Sequence, residues 1–207
     1  MAVTPRIYQL KISLNYIEPD IWRRFQVRSD VKLTRLHDIL QILMGWQDYH
    51  LYYFDVDGVE YTDPDSIEDD LYELGHKDGS KVKLCQVLAE VGDKCLYRYD
   101  FGDNWEHTLL LEQISDPTPG ERYPVCLDGA RRCPPEDCGG VGGYAELLRV
   151  LADPNDEEYK DMKRWVGPHF DPEKFDCFLV NLGLPRRVAV KKDQPPKTSE
   201  ADGCVCG

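Results

Sequence analysis

No stretch of the 207-residue sequence approaches the ~20 consecutive apolar residues of a membrane span. The first residues, Met1-Ala2-Val3-Thr4-Pro5-Arg6, lack both a basic segment and an apolar one, so no secretory signal is expected. A cytoplasmic location follows as the expectation, and with it a reducing environment. Positive charge is scarce: 25 Lys and Arg face 38 Asp and Glu, for a net charge of −13. Nucleic acid needs a cationic footprint, so a protein or a small ligand is favoured as partner, with no membrane. Between Asp55 and Glu73 stand nine carboxylates and no Lys or Arg, read as a solvated acidic surface. Asp55-Val56-Asp57-Gly58 places its glycine too early for an EF-hand loop. Internal repeats and paired CxxC knuckles are also lacking.

What is present is an ordinary core-forming composition, 42% apolar, and eight cysteines. In a reducing compartment these read as buried thiols, metal ligands or reactive groups before bridges. Tyr8, Leu10, Ile12 and Leu14 alternate with polar residues, the period of a half-buried strand. After the turn Glu18-Pro19-Asp20, residues Ile21, Phe25 and Val27 line a second strand, with Arg23 on the same side as a snorkelling or paired arginine. Leu33, Leu36, Ile39, Leu40 and Leu43 switch to helical spacing, with Ser29 or Asp30 as cap, Gly45 as stop and His37 at the border. Residues 49–56 and 59–61 flank the hairpin signal Asp57-Gly58, and 81–84 is a further short strand. This order predicts an α+β fold with a β-grasp-like strand–strand–helix–strand–strand core. An added hairpin, 94–100 and 105–114, turns at Phe101-Gly102-Asp103-Asn104. A helical segment follows at 144–184. Its stripes are Tyr144, Leu147, Leu148 and Leu151, then a helix capped by Asp153-Pro154 and running to about Trp165. The last is Phe175, Phe178, Leu179 and Leu182 behind Asp171-Pro172. The domain therefore covers 5–184, with a sheet-rich part at 5–127, a Cys/Pro/Gly loop at 126–143 and a disordered tail at 188–207.

Cys126, Cys133 and Cys138 crowd that loop, with six and then four intervening residues. Zinc takes four tetrahedral Cys or His ligands, and His107, His169 and Cys177 are the candidates for a fourth. A tight Pro/Gly turn with semi-buried thiols ranks slightly ahead of zinc, and a nucleophilic Cys138 ranks last. His107 sits on the apolar face of its strand with Trp105, Leu109 and Leu111, where a core histidine is favoured. The functional alternative has Asp100, Asp103 and His107 framing a polar pocket for base or ligand work. Trp22, Trp46 and Trp165 read as packing residues, and Cys204 and Cys206 as thiols of the tail.

Six segments together carry a family resemblance. They are Ile21-Trp22-Arg23-Arg24, Leu36-His37, Gly45-Trp46, Tyr99-Asp100-Phe101-Gly102-Asp103-Asn104-Trp105-Glu106-His107, Cys133-Pro134-Pro135-Glu136-Asp137-Cys138-Gly139-Gly140 and Asp171-Pro172-Glu173-Lys174-Phe175. Over roughly 5–184 the chain resembles the plasmid pRiA4b ORF-3-like family. The resemblance implies no agreed activity; some members are labelled as passengers of plasmids or mobile elements. In many members the segment matching His50-Leu51-Tyr52 reads His-Leu-His, and Tyr52 counts against a metal site built on that pair. The expected function is a non-enzymatic binding or accessory module whose Cys loop is structural, with or without zinc. The alternative is a hydrolase-type enzyme using Asp103 and His107 beside the Cys133–Cys138 loop.

Overall fold

The computed structural model describes residues 5–64 and 75–187. The expected tail with Cys204 and Cys206, and part of the acidic run, lie outside the described residues. Strands β1 (Ile7–Leu14) and β2 (Ile21–Arg28) follow the period-two pattern and pair antiparallel, with Leu10 opposite Phe25. Helix α1 (Leu33–Met44) buries the expected leucine and isoleucine stripe and ends at Gly45 with φ of 90°. Its N-cap is Lys32, without a side-chain bond. Ser29 instead accepts from the Arg6 amide and Asp30 from Arg28, so neither expected cap is free to serve. Asp57 and Gly58, at φ of 51° and 79°, turn β3 (Tyr52–Val56) into β4 (Val59–Thr62). The strand expected at 81–84 is absent. In its place β5 (Lys77–Asp78) precedes a 3-10 turn at Gly79–Lys81.

Strands β6 (Lys94–Tyr99) and β7 (Trp105–Ser115) form the expected second hairpin. A strand absent from the sequence reading, β8 (Val125–Ala130), pairs with β2. The described sheet has eight strands in the order β5-β4-β3-β6-β7-β1-β2-β8, antiparallel except for β4 with β5. The two hairpins expected to frame a β-grasp-like core are therefore not neighbours, because β6 and β7 stand between β3 and β1. Pairing of β7 with β1 is long-range, and no local pattern encodes it.

Helices α2 (Gly140–Ala152), α3 (Tyr159–Val166) and α4 (Cys177–Arg187) follow. In α2, Tyr144, Leu147 and Val150 face the core. α3 starts after Asp153-Pro154 because the Asp153 and Asp156 carboxylates close local turns onto the Asn155 and Glu158 amides. α4 turns Leu184 inward and leaves Phe178, Leu179 and Leu182 exposed, so most of the expected third stripe faces outward. Arg23 is the paired arginine of the sequence reading, only 2% exposed. It donates to the carbonyls of Leu43 (2.9 Å), Trp22 (2.8 Å) and Ala130 (2.8 Å) and stacks 4.0 Å from the Phe175 ring centre.

Candidate functional site

The three thiols do not converge. Cys126 lies on β8 opposite Phe25, not in the loop, and its neighbour is Cys177, whose thiol meets the Cys126 carbonyl at 3.2 Å. Cys133 packs its sulfur 3.7 Å from that of Met44 and 3.4 Å from Arg23 Nη2. Cys138 is half-buried just ahead of α2. Burial pushes the thiols of Cys126 and Cys138 up to about 12 and raises that of Cys133, so all three stay protonated near neutral pH. That is the opposite of what a nucleophile needs. The arrangement fits the structural turn, and among the described residues neither His107 nor the exposed His169 joins these thiols in a group of three ligand atoms within 4.8 Å of one another.

His107 is fully buried, packed edge-on against Trp46 with ring centres 5.3 Å apart. Its Nδ1 meets the Tyr97 carbonyl at 3.2 Å, so the neutral ring carries its proton there, while Nε2 is buried without a partner. Burial lowers its pKa to about 4. The folded value lies below the unfolded ~6.5, so the stability it contributes is present above ~6.5 and lost as pH falls toward about 4, on the order of 3 kcal/mol in all. Urea unfolding across this window should show a steeper loss for the wild type than for His107→Phe; equal slopes would exclude a buried neutral histidine.

Among the described residues no carboxylate orients the His107 ring, whose Nδ1 meets the Tyr97 carbonyl and whose Nε2 has no partner. The Asp103 carboxylate accepts instead from the Gly139 amide at 3.1 Å, tying the β6–β7 turn to the start of α2. A Cβ on Gly140 would lie 2.5 Å from the Asp103 carbonyl, so glycine there permits the close approach. Trp46 Nε1 donates to the Pro134 carbonyl at 3.0 Å, and the Gln47 amide to Glu136 at 2.8 Å. Tyr99 also donates to Glu136, at 3.2 Å. Three of the segments that carry the resemblance, 45–46, 99–107 and 133–140, thus meet at one junction.

At that junction Nε2 of His50 lies 3.6 Å from Asp100, 3.6 Å from Glu136 and 3.2 Å from Asp137. Among the described residues, His50, Asp100 and Asp137 are the one group of three or more His, Cys, Asp or Glu whose ligand atoms all lie within 4.8 Å of one another. Asp137 and Glu136 stand inside the cysteine loop, between Cys133 and Cys138. Tyr52, the position weighed against a metal site, is buried and stacked 3.5 Å from the His37 ring. His37 itself is satisfied by Tyr97 (2.8 Å) and Asp48 (2.7 Å), as a boundary histidine should be.

Behind Trp46 and Glu136 a half-open cleft of about 600 Å³ separates the junction from the helical segment. Trp165, Phe170 and Phe175 supply apolar walls, and Arg132, His169 and Lys174 bring basic groups to an otherwise acidic chain. The Arg132 guanidinium stacks 5.3 Å from the Phe170 ring centre.

A family model described as "Plasmid pRiA4b ORF-3-like protein" matches residues 6–178. "Uncharacterized protein y4hQ" of Sinorhizobium fredii (strain NBRC 101917 / NGR234) is 38% identical over 162 residues, covering 78% of this chain and 81% of that protein. The crystal structure of protein of unknown function MM3350 from Methanosarcina mazei Go1 superposes with a TM-score of 0.77 at 39% identity, covering 85% of this chain and 98% of the other. No helix among the described residues is long and apolar enough to cross a membrane.

Proposed function

The chain belongs to the plasmid pRiA4b ORF-3-like protein family, and from that premise we propose that it acts as a non-enzymatic binding module for a small anionic aromatic ligand. The observation that carries this reading is the cleft of about 600 Å³, within the usual range for small-molecule sites. Its aromatic walls suit an apolar body, and Arg132 with Lys174 suits one anionic group. The cysteine loop then serves as scaffold, holding Trp46 through the Pro134 carbonyl. A hydrolase using Asp103 and His107 finds less support, since one is spent on Gly139 and the other is buried.

Anilinonaphthalene sulfonate has the required chemistry and reports by fluorescence. Saturable enhancement is expected with the folded wild type at neutral pH, weakened about tenfold or more in Lys174→Glu with Trp165→Ala. Phe178→Ser, on the exposed face of α4 outside the cleft, should leave it unchanged. Enhancement lost in Phe178→Ser but kept in the cleft variant overturns the reading, as does none at all.

A further inference from the structure

We propose that His50, Asp100 and Asp137, with Glu136 beside them, form a site for one divalent first-row cation of the manganese or zinc class. The site is independent of the cleft reading, although both share the Gln47–Glu136 wall.

The carboxylate oxygens lie 3.2, 3.6 and 3.6 Å from His50 Nε2, yet none makes a hydrogen bond to it, and the atom is buried. Ligands held ~2.1 Å from a tetrahedral ion stand ~3.4 Å from one another, so these separations bracket the edge of a coordination polyhedron. Direct hydrogen bonding would draw at least one oxygen to ~2.8 Å. The second observation is Asp100. Its side chain is 7% exposed, and its Oδ1 accepts from the amides of Gly102 (2.9 Å) and Asp103 (3.2 Å). Oδ2 accepts no hydrogen bond among the described residues and points at His50. A carboxylate this buried, anchored by one oxygen and free at the other, is oriented as ligating carboxylates are.

Charge supports the same reading. Among the described residues, the only basic group within ion-pair reach of Asp100, Glu136 and Asp137 is His50 itself. The Asp100 and Asp137 carboxylates lie within 4.8 Å of one another and of His50, a repulsion that a divalent cation relieves. One imidazole nitrogen with carboxylate oxygens suits borderline-to-hard ions such as Mn²⁺, Fe²⁺ or Zn²⁺, and is a poor set for thiophilic Cu⁺. Glu136 holds a different station: its Oε1 is taken by the Gln47 amide, and only Oε2 faces the site. Asp137, 71% exposed, closes the group from the solvent side and is the ligand with freedom to move onto the ion.

Calorimetric titration of chelator-treated full-length protein with Mn²⁺ and with Zn²⁺ tests the site, with the free-Mn²⁺ paramagnetic signal as second readout. Uptake of about one ion per chain is expected, weakened about tenfold or more by Asp137→Asn and by His50→Gln. The exposed Asp137→Asn should keep the wild-type melting temperature without metal, which separates lost ligation from lost fold. Cys138→Ser should retain uptake. No saturable uptake overturns the proposal. So does uptake that survives both ligand variants, or uptake that Cys138→Ser abolishes while Asp137→Asn does not, which would return the metal to the thiols.

Discussion

Replacing Arg23 with methionine is expected to lower the free energy of unfolding by about 4 kcal/mol. Methionine keeps much of the apolar stem, so the loss reports the guanidinium. That group donates to the carbonyls of Leu43, Trp22 and Ala130, which belong to α1, β2 and β8. Without it, buried acceptors lose their donor at ~1–3 kcal/mol each, partly relieved by relaxation. The stack on Phe175, which holds the segment leading into α4, is lost as well. Arg23→Lys should fall between, because an ammonium cannot span the same fork of acceptors. Urea unfolding measures all three proteins; a cost under ~1 kcal/mol for Arg23→Met would mean that Arg23 is not the tie described.

Gly143→Ala is expected to cost about the same, ~4 kcal/mol, for a steric reason. A Cβ at this position of α2 would stand 1.9 Å from the Cys138 carbonyl oxygen, whereas real Cβ contacts essentially never fall under 3.0 Å. The obstacle is backbone, so no rotamer change relieves it. The Cys138–Gly139 turn would have to move, breaking the bond from the Gly139 amide to Asp103. Gly142→Ala is the control, since nothing lies within 4 Å of its added Cβ, and it should be neutral or stabilising by up to ~1 kcal/mol. Thermal melts that move equally for both variants would rule out the close approach.

The elements that were legible in the sequence are those whose burial is decided locally. Alternation along Tyr8–Leu14, the leucine stripe of α1 and the Asp57-Gly58 turn each follow from a period or a backbone preference. Sheet order did not follow, because the choice of β7 as partner for β1 depends on edges that meet only in three dimensions. β8 was hidden for a related reason: Val125, Cys126, Leu127 and Asp128 show no clean alternation, since a bulge shifts the register opposite Arg24 and Phe25. At the site, the apolar setting of His107 could be read from its strand face. His50 enters the sequence only through the segment His50-Leu51-Tyr52, where Tyr52 counts against a metal site; its loop has no periodicity, and its partners come from two distant segments. The φ of 58° at Asp100 shows only in the structure; in the sequence this residue stands out as the aspartate just ahead of the Phe101-Gly102-Asp103-Asn104 turn.

The pairing of β1 also governs how the molecule can be made. Ile7 meets Ser115 and Leu14 meets His107, so the central ladder joins the first strand completed to one among the last. Synthesis at ~5–20 residues per second leaves the amino-terminal hairpin with an open edge for several seconds before β7 emerges. During that interval the backbone of Lys11 and Ser13, on the side that β7 will occupy, is a template for any extended chain nearby. Rapid co-translational capture of that edge, or its protection by a chaperone, then decides the yield of soluble protein. Slower growth at lower temperature should favour the correct partner.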